Sequence, residues 1–483
     1  MRRLLSGLVH FASGFFGAVG RGWNAFFFTP ADPTSLGVIR VGVGVLVFWS
    51  MLVYGLDLRD FFGSQGWAEA DTVRYFDYHA PNLGYQGRHP YAWSFWYWVP
   101  DGLLWPVWAL CMVVLALYTV GLWSRVTAVL AWVIVVSTVR RVPVSLFGFD
   151  QMTSTWTLYL AVCGASGRAV SIDRFLARYR EARAAVARRR QDGRWLLAPG
   201  APAPSVAANL GLRLIQLHLV LIYGVAGFAK LQGAAWWNGT AIWGTIAAGE
   251  FRLFDLTWLA AYPLILNVLT HGGLLFEILY PFLIWNRWAR PVLLFLALVL
   301  HVGIGLTLGL AEFGVAMLLG NVAFVSGPWL RSLVTGLSQP WGRVLYDGAC
   351  PRCRASMALI GAADPDQVIA PVDLTAVNVT AIHPALTKEA CLQAMHVVRA
   401  DGRILIGYDA LVALGRWCPL YFPLALLGSL PGVTIVGRRA YNAIAASRPR
   451  DVPCTDDVCG LHSPVAVSAK HAAAAAESER ARP

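Results

Sequence analysis

Two cysteines separated by two residues form the most chemically specific motif of the chain, Tyr346-Asp-Gly-Ala-Cys-Pro-Arg-Cys353. The motif follows an apolar, strand-like run and precedes a helical stretch, so both thiols fall in the first turn of a predicted helix. A helix N-terminus stabilises a thiolate, and Arg352 adds positive charge. Because attack starts from the thiolate, Cys350 is the predicted nucleophile, Cys353 the resolving thiol and Asp347 the proton acceptor.

A zinc site is the alternative interpretation of these cysteines. Cys454 and Cys459 would supply the remaining two ligands. The two pairs are about 100 residues apart, far beyond the usual spacing in zinc ribbons, so the sequence favours redox chemistry and no metal is expected. The other four cysteines are predicted to be packing residues: Cys111, Cys163, Cys391 and Cys418.

A lysine at the end of a long apolar run forms the second candidate site. Lys230 is followed by the tryptophan-rich segment 232–243. A charge at the edge of a bilayer is costly, and apolar surroundings favour the neutral amine, which is a base. The alternative is that Lys230 snorkels to the headgroups beside an aromatic belt of Trp236, Trp237 and Trp243.

Further ionisable side chains interrupt the apolar runs. They include Asp150, His218, His271, Glu277 and His301. Several such groups in one membrane domain indicate an interior polar site. No pair of them has the i, i+3 or i, i+4 spacing of metal ligands on a helix, so a metal site is not predicted here either.

The elements that must position these residues are membrane helices. The chain is 57% hydrophobic and only 14% charged, whereas soluble domains carry about 25% charged residues. This composition excludes a single soluble globule, a disordered chain and a fibrous repeat. Eight segments approach the roughly 20 apolar residues of a span, near Ser35–Leu56, Gly102–Leu122, Val126–Val144, Gln151–Ala165, Asn209–Ala229, Pro263–Trp285, Pro291–Leu310 and Phe313–Gly327.

The distribution of arginines predicts the orientation. Nine arginines lie between Arg168 and Arg194 against three acidic residues. The positive-inside rule identifies this stretch as a cytoplasmic loop, and the net charge of +12 therefore does not indicate nucleic-acid binding. Eight spans then place both termini in the cytoplasm of a bacterial-type cell, with the protein multi-pass in its inner membrane.

The remaining segments complete the predicted domain order. Residues 1–29 carry apolar side chains at helical spacing and predict an amphipathic helix on the inner leaflet. The membrane domain covers residues 30–327, and residues 328–340 form a linker. Short apolar runs alternate with helical stretches over residues 341–462, which predicts a small domain of strands and helices. The Ala-rich tail 463–483 is predicted to be disordered.

Three motifs in the C-terminal segment resemble the DCC family of thiol–disulfide oxidoreductases, which is related to the thioredoxins. They are Tyr346–Cys353, Gly407-Tyr-Asp-Ala410, and Gly437-Arg-Arg-x-Tyr441 followed by Ser447-Arg448. The resemblance spans about residues 341–462 and implies a thioredoxin-like domain whose dithiol cycles with a disulfide. No proline stands near Ala394, where thioredoxins carry one before their third strand, so a small-molecule or quinone substrate is open.

A second resemblance covers about residues 30–327. Gly227-x-x-Lys-Leu231, Trp237-x-Gly-Thr, His271-Gly-Gly…Glu277 and His301 resemble the HTTM family, the membrane domain related to vitamin K-dependent γ-carboxylase. The resemblance implies that Lys230 is the base that deprotonates a vitamin K-like hydroquinone during γ-carboxylase- or epoxidase-like chemistry. It further implies a substrate-binding set formed by Asp150, Trp237, His271, Glu277 and His301.

The predicted fold is therefore mostly α, a polytopic helical bundle of about eight spans with a C-terminal thioredoxin-like α/β domain. The predicted function is a membrane oxidoreductase that acts on a quinol-like or other lipid-soluble substrate and is coupled to the dithiol. Its expected partners are membrane lipid or quinone, and a peptide or thiol protein, but not nucleic acid. Two alternatives are a maturation or export factor for a secreted peptide, and a binding protein with both sites degenerate.

Overall fold

The chain is mostly helical and forms two compact units. A computed structural model describes residues 2–67, 69–79, 93–187, 201–248, 253–338, 342–364, 368–418 and 421–447. The first unit combines Met1–Asp173 with Pro202–Leu330, and the second combines Arg174–Ala201 with Arg331–Pro483. The second unit is therefore built from two separate stretches of the chain.

Fifteen α-helices precede the first strand in the described part of the chain. They are α1 (Arg2–Phe28), α2 (Thr34–Leu56), α3 (Leu58–Phe62), α4 (Ala70–His79), α5 (Leu104–Val120), α6 (Ser124–Arg141), α7 (Gly148–Cys163), α8 (Ile172–Ala187), α9 (Val206–Lys230), α10 (Ala234–Trp237), α11 (Ala241–Ala247), α12 (Pro263–Leu283), α13 (Ala289–Leu308), α14 (Ala311–Asn321) and α15 (Gly327–Ser338).

Five described helical segments are long and apolar enough to cross a membrane, which is compatible with a membrane protein. They are Thr34–Leu56, Asp101–Val120, Val206–Lys230, Pro263–Leu283 and Ala289–Leu308. A sixth span results if Ala311–Phe324 and Gly327–Leu333, which are bent by 112° relative to each other, count as one. The predicted count of eight spans is not confirmed.

The length and charge of two helices explain the difference. α6 has 18 residues, and three of them are arginines, at positions 125, 140 and 141. α7 has 16 residues, or about 24 Å at 1.5 Å per residue, which is less than the roughly 30 Å of a bilayer core. These two predicted spans are therefore among those that are not confirmed.

A close approach between α9 and α12 organises the polar part of the first unit. A Cβ atom at Gly227 would lie 3.0 Å from the Ile278 nitrogen and 3.1 Å from the Glu277 Cβ. Only a residue without a side chain fits between two backbones at this separation. The contact brings the C-terminal end of α9, where Lys230 lies, beside the Glu277 turn of α12.

The second unit contains a four-stranded sheet of order β2-β1-β3-β4. Its elements are β1 (Gly342–Tyr346), α16 (Pro351–Ala363), β2 (Ile369–Asp373), α17 (Lys388–Gln393), β3 (His396–Arg399), β4 (Ile404–Ile406), α18 (Gly407–Trp417), α19 (Phe422–Gly428) and α20 (Pro431–Ala446). β1 pairs with β2 in parallel, whereas the β1–β3 and β3–β4 pairs are antiparallel. A small C-terminal sheet domain is thus present, as the sequence predicted.

Part of α8 belongs to the core of the second unit. Ala182 is fully buried in the same apolar cluster as Val344, Val397 and Trp417. The rings of Phe175 and Tyr421 meet edge to face, with their centroids 6.3 Å apart. The arginine-rich stretch that the sequence assigned to a loop therefore supplies a helix to this core, and α15 lies where a linker was expected. The predicted tail 463–483 lies outside the described residues.

Candidate functional site

The turn between β1 and α16 positions the two thiols. Cys350 is the N-terminal cap of α16, and Pro351 follows at the first helical position, where its fixed φ favours helix initiation. The Cys350 N–H donates to the Asp347 carbonyl at 3.2 Å. The Gly348 N–H donates to the Asp373 carboxylate at 3.1 Å, which ties the turn to the end of β2.

Hydrogen bonds to sulfur favour the Cys350 thiolate. The Cys353 thiol bonds to Cys350, and the Cys353 backbone N–H donates to the Cys350 Sγ at 3.3 Å. These bonds, with one from the Arg352 backbone, lower the pKa of Cys350 from 9.0 to about 6 although burial and the Asp347 charge oppose ionisation. The Arg352 guanidinium binds Ser447 instead, so Arg352 acts through its backbone rather than through its side-chain charge.

Both thiols are shielded from solvent, and Cys353 lines a cavity. Cys350 is 1% exposed and Cys353 is 9% exposed, and both are free thiols. The cavity has a volume of about 260 Å³, and its walls are largely apolar with the polar groups Asp347, Arg352 and Tyr441. An apolar pocket with a few polar groups suits a small organic ligand or an apolar side chain.

The buried thiols Cys391 and Cys418 contrast with Cys350. Burial raises the pKa of Cys391 to about 11 and raises that of Cys418 as well. At neutral pH these two groups are therefore protonated, whereas Cys350 is mostly thiolate. Their position in the core agrees with the packing role predicted for them.

The last helix of the described residues, α20, covers the dithiol end of the sheet. The Arg352 guanidinium donates to the carbonyl and hydroxyl oxygens of Ser447, at 2.8 and 3.0 Å. The Tyr441 hydroxyl accepts from the Met395 N–H at 2.9 Å, immediately before β3. Arg438 forms a bidentate ion pair with Asp409 of α18, at 2.9 and 3.0 Å. The motifs that contain Asp409, Tyr441 and Ser447 thus hold α20 against the dithiol site.

In the first unit, Lys230 forms an ion pair with Glu277. Their side chains are 26% and 12% exposed, and the Lys230 Nζ lies 5.1 Å from the centre of the Trp236 ring. The two residues are 47 positions apart in sequence, and the packing of α9 against α12 brings them together. The sequence singled out both residues but did not predict that they meet.

A buried hydrogen-bonded cluster lies along the same helices. The Tyr223 hydroxyl is 2.7 Å from the His301 Nε2, and the Tyr280 hydroxyl donates to the Asn321 Oδ1 at 2.7 Å. Asn321 Nδ2 also donates to Tyr223 at 3.3 Å. The His301 Nδ1 is buried without a hydrogen-bond partner among the described residues. Tyr223, Tyr280 and Asn321 were missed, although Tyr223 lies two helical turns before Lys230.

Two other predicted site residues, His271 and Trp237, lie near the end of α9 that carries Lys230. His271 contacts the Asn267 carbonyl through Nδ1 at 3.0 Å and the Trp237 carbonyl through Nε2 at 3.3 Å. The Trp237 indole donates to the Leu231 carbonyl at 2.8 Å. These contacts keep His271 and Trp237 near the C-terminal end of α9.

Asp150 lies in the first turn of α7 and has a structural role. Its carboxylate accepts from the Phe147 N–H at 3.1 Å and so caps the helix. It also lines a cavity of about 420 Å³ with Arg140 and Gln151. The geometry therefore explains Asp150 by helix capping, and its predicted role in substrate binding stays a prediction.

Metal ligation has no geometric support in the described part of the chain. Among the described residues, no group of three or more His, Cys, Asp or Glu side chains is arranged to hold an ion. Cys454 and Cys459, on which the zinc alternative depends, lie outside the described residues.

A comparison with known protein families gives a match in the C-terminal part of the chain. A family model described as DCC1-like thiol-disulfide oxidoreductase matches residues 344–451. The chain is similar to this family over a stretch that contains Cys350 and Cys353. No curated protein matches significantly, and no solved structure does.

Proposed function

We propose that this chain is a membrane thiol–disulfide oxidoreductase whose active dithiol is Cys350 and Cys353. The observation that carries the proposal is the Cys350 thiol at the start of α16, with its pKa lowered to about 6. A thiol with such a pKa is mostly ionised at neutral pH and is therefore a ready nucleophile. The parallel β1–β2 pair followed by an antiparallel β3–β4 pair supports the thioredoxin-like assignment.

The exchange proceeds in two steps that conserve atoms and electrons. The Cys350 thiolate attacks one sulfur of a substrate disulfide, the substrate S–S bond breaks, and the departing sulfur leaves as a thiolate. Cys353 then loses its proton, for which Asp347 is the proposed acceptor, and attacks the Cys350 sulfur. The second substrate sulfur also leaves as a thiolate, so that two electrons reach the substrate and a Cys350–Cys353 disulfide remains. One product thiolate takes up the proton held by Asp347, and the other takes up a proton from solvent.

Equilibration of the full chain with mixtures of reduced and oxidised glutathione tests this proposal. We expect a reversible Cys350–Cys353 disulfide, quantified by mass spectrometry of the linked peptide. Cys350→Ser and Cys353→Ser should each abolish that peptide, whereas Cys418→Ser, which removes a buried core thiol, should retain it. The absence of the linked peptide at every glutathione ratio would exclude the proposal.

A second proposed function concerns the membrane unit. We infer that Lys230 and Glu277 act together as the base for a quinol-like substrate, as the resemblance to the HTTM family implies. Their direct pairing supports this inference, because Lys230 can pass its proton to Glu277 and the neutral amine then accepts one proton from a hydroquinone hydroxyl. His301 retains one unpartnered nitrogen among the described residues, which is available to bond a quinone oxygen. The dithiol would then supply the two electrons that convert a quinone to a quinol, while Cys353 supplies one proton and solvent the other.

Turnover in proteoliposomes separates this function from the first. We expect quinol- and oxygen-dependent product formation to be lost in Lys230→Ala and also in Lys230→Arg. Arginine retains the charge that pairs with Glu277 but does not release its proton in proteins, so this variant controls for folding. Full turnover in both variants would refute the role of Lys230 as a base.

Trapping distinguishes the quinone substrate from a peptide. In Cys353→Ser the Cys350 mixed disulfide cannot resolve, so a partner with a disulfide stays attached. A trapped secreted peptide would favour the maturation or export function, whereas a trapped small thiol would favour the redox function. The inner-membrane location, with both termini in the cytoplasm, remains part of the proposal and is testable by accessibility labelling of residues near each terminus.

A further inference from the structure

An exposed apolar surface on the second unit has no role in the proposed chemistry. Six large apolar side chains of α19, the turn after it and the first half of α20 are between 49% and 66% exposed. This apolar patch consists of Leu424, Leu426, Leu427, Leu430, Ile435 and Val436. They fall within a stretch of 13 residues (424–436), whereas exposed apolar side chains on ordinary surfaces are scattered singly.

Basic residues surround the apolar patch. Arg416 donates to the Ser429 hydroxyl at 2.7 Å, between α19 and α20, and Arg438 and Arg439 follow the patch along α20. The only acidic residue of the sequence from 404 to 447 is Asp409, and it is paired with Arg438. Apolar side chains with a basic rim are typical of surfaces that enter the interface of an anionic bilayer.

The same chain brings this surface close to lipid. Five described helical segments can cross a membrane, and the chain joins the second unit to the first at Arg174, Ala201 and Arg331. A surface tethered in this way meets the bilayer at high effective concentration, so even modest affinity gives lasting contact.

We propose that the apolar patch is a lipid-docking surface, with its side chains at the level of the headgroups of an anionic membrane. The proposal does not depend on the redox chemistry. Lipid docking would nevertheless affect the redox site, because α20 also carries Tyr441 and Ile444, which line the cavity beside Cys353. Docking would therefore bring one wall of this cavity close to the lipid.

Photo-crosslinking in lipid nanodiscs tests the proposal on the full chain. p-Benzoylphenylalanine replaces Leu427 or Val436, and Arg403 is the matched control because its side chain is 78% exposed in the β3–β4 turn of the same unit. We expect mass spectrometry to detect severalfold more lipid adduct at positions 427 and 436 than at 403 when the discs contain anionic lipid. The adducts should decrease when the anionic lipid is replaced by zwitterionic lipid.

Other outcomes overturn the proposal. Crosslinks from 427 or 436 to peptides of residues 1–330 would identify the patch as a contact within the chain, and crosslinks to a second copy would identify a dimer interface. The absence of adducts would show that the patch faces water. The pH profile of Cys350 alkylation, measured on each variant, verifies folding. A Cys350→Ser background should label lipid equally well, which separates this test from that of the dithiol.

Discussion

Cys350 receives hydrogen bonds from the Cys353 thiol and from the Cys353 backbone, while the Asp347 carboxylate opposes its ionisation. These effects have opposite signs, so variants of the two neighbours should move the Cys350 pKa in opposite directions. If a nearby positive charge activated Cys350, the reactivity of this thiol would depend on the Arg352 side chain. The Arg352 guanidinium binds Ser447 instead.

Asp347→Asn removes the negative charge next to the thiolate and retains an oxygen that accepts from the Ala349 N–H. We expect the pH midpoint of Cys350 alkylation to fall. Cys353→Ala removes the thiol that bonds to Cys350 and should raise the midpoint. The measurement is the rate of iodoacetamide labelling of the Cys350 peptide against pH. A shift of both variants in the same direction would contradict this account.

At the scale of elements, α20 depends on a close approach at the start of α18. Gly407 has φ +61°, and a Cβ atom there would lie 3.2 Å from the Tyr441 ring. Both features require glycine, because a left-handed backbone strains other residues and the ring occupies the space. The sequence showed the Gly407-Tyr-Asp motif. The need for glycine at position 407 becomes clear only from the contact with Tyr441 of α20.

Gly407→Ala should therefore destabilise the packing of α20 by about 1–3 kcal/mol, from backbone strain together with the steric contact. Gly432→Ala is the matched control, since it lies in α20 with open space around it and should cause no loss. Amide hydrogen exchange in α20 reports the difference. Equal protection in the two variants would show that Gly407 is not required for docking.

The contact between Arg352 and Ser447 should restrict access to the thiols without changing their ionisation. Arg352→Ala removes both hydrogen bonds to Ser447 but keeps the backbone N–H that bonds to Cys350. We expect the plateau rate of Cys350 alkylation to rise severalfold, while the pH midpoint stays unchanged. A raised midpoint would instead assign the pKa shift to the guanidinium charge.

Over the whole molecule, one unit is completed by a helix from a distant part of the chain. α8 packs from Arg174 onward on the apolar core that contains Cys350 and Cys418. Local patterns predicted the dithiol turn and the small sheet, because strand, turn and helix signals there are contiguous in sequence. They did not predict α8 in this core or the Lys230–Glu277 pair, because both depend on packing between residues far apart in sequence.

Ala182 offers a direct test of this architecture. It is fully buried, so Ala182→Leu should overpack the core and cost about 1–3 kcal/mol. Ala184→Leu is the control on the exposed side of the same helix. The readout is alkylation of the buried thiol Cys418, which requires opening of the unit and should accelerate by about tenfold or more. Equal rates of Cys418 alkylation in the two variants would show that α8 does not pack in this core.

The ionisation of Cys350 in the full-length, membrane-embedded chain tests the central claim most directly. The account predicts that the rate of its alkylation rises with a midpoint near pH 6, since the pKa of the thiol is lowered to about 6, and that it reaches a plateau at neutral pH. An ordinary cysteine has its midpoint near pH 8.5. A midpoint at that higher value would show that the thiol is not activated and would contradict the proposed oxidoreductase.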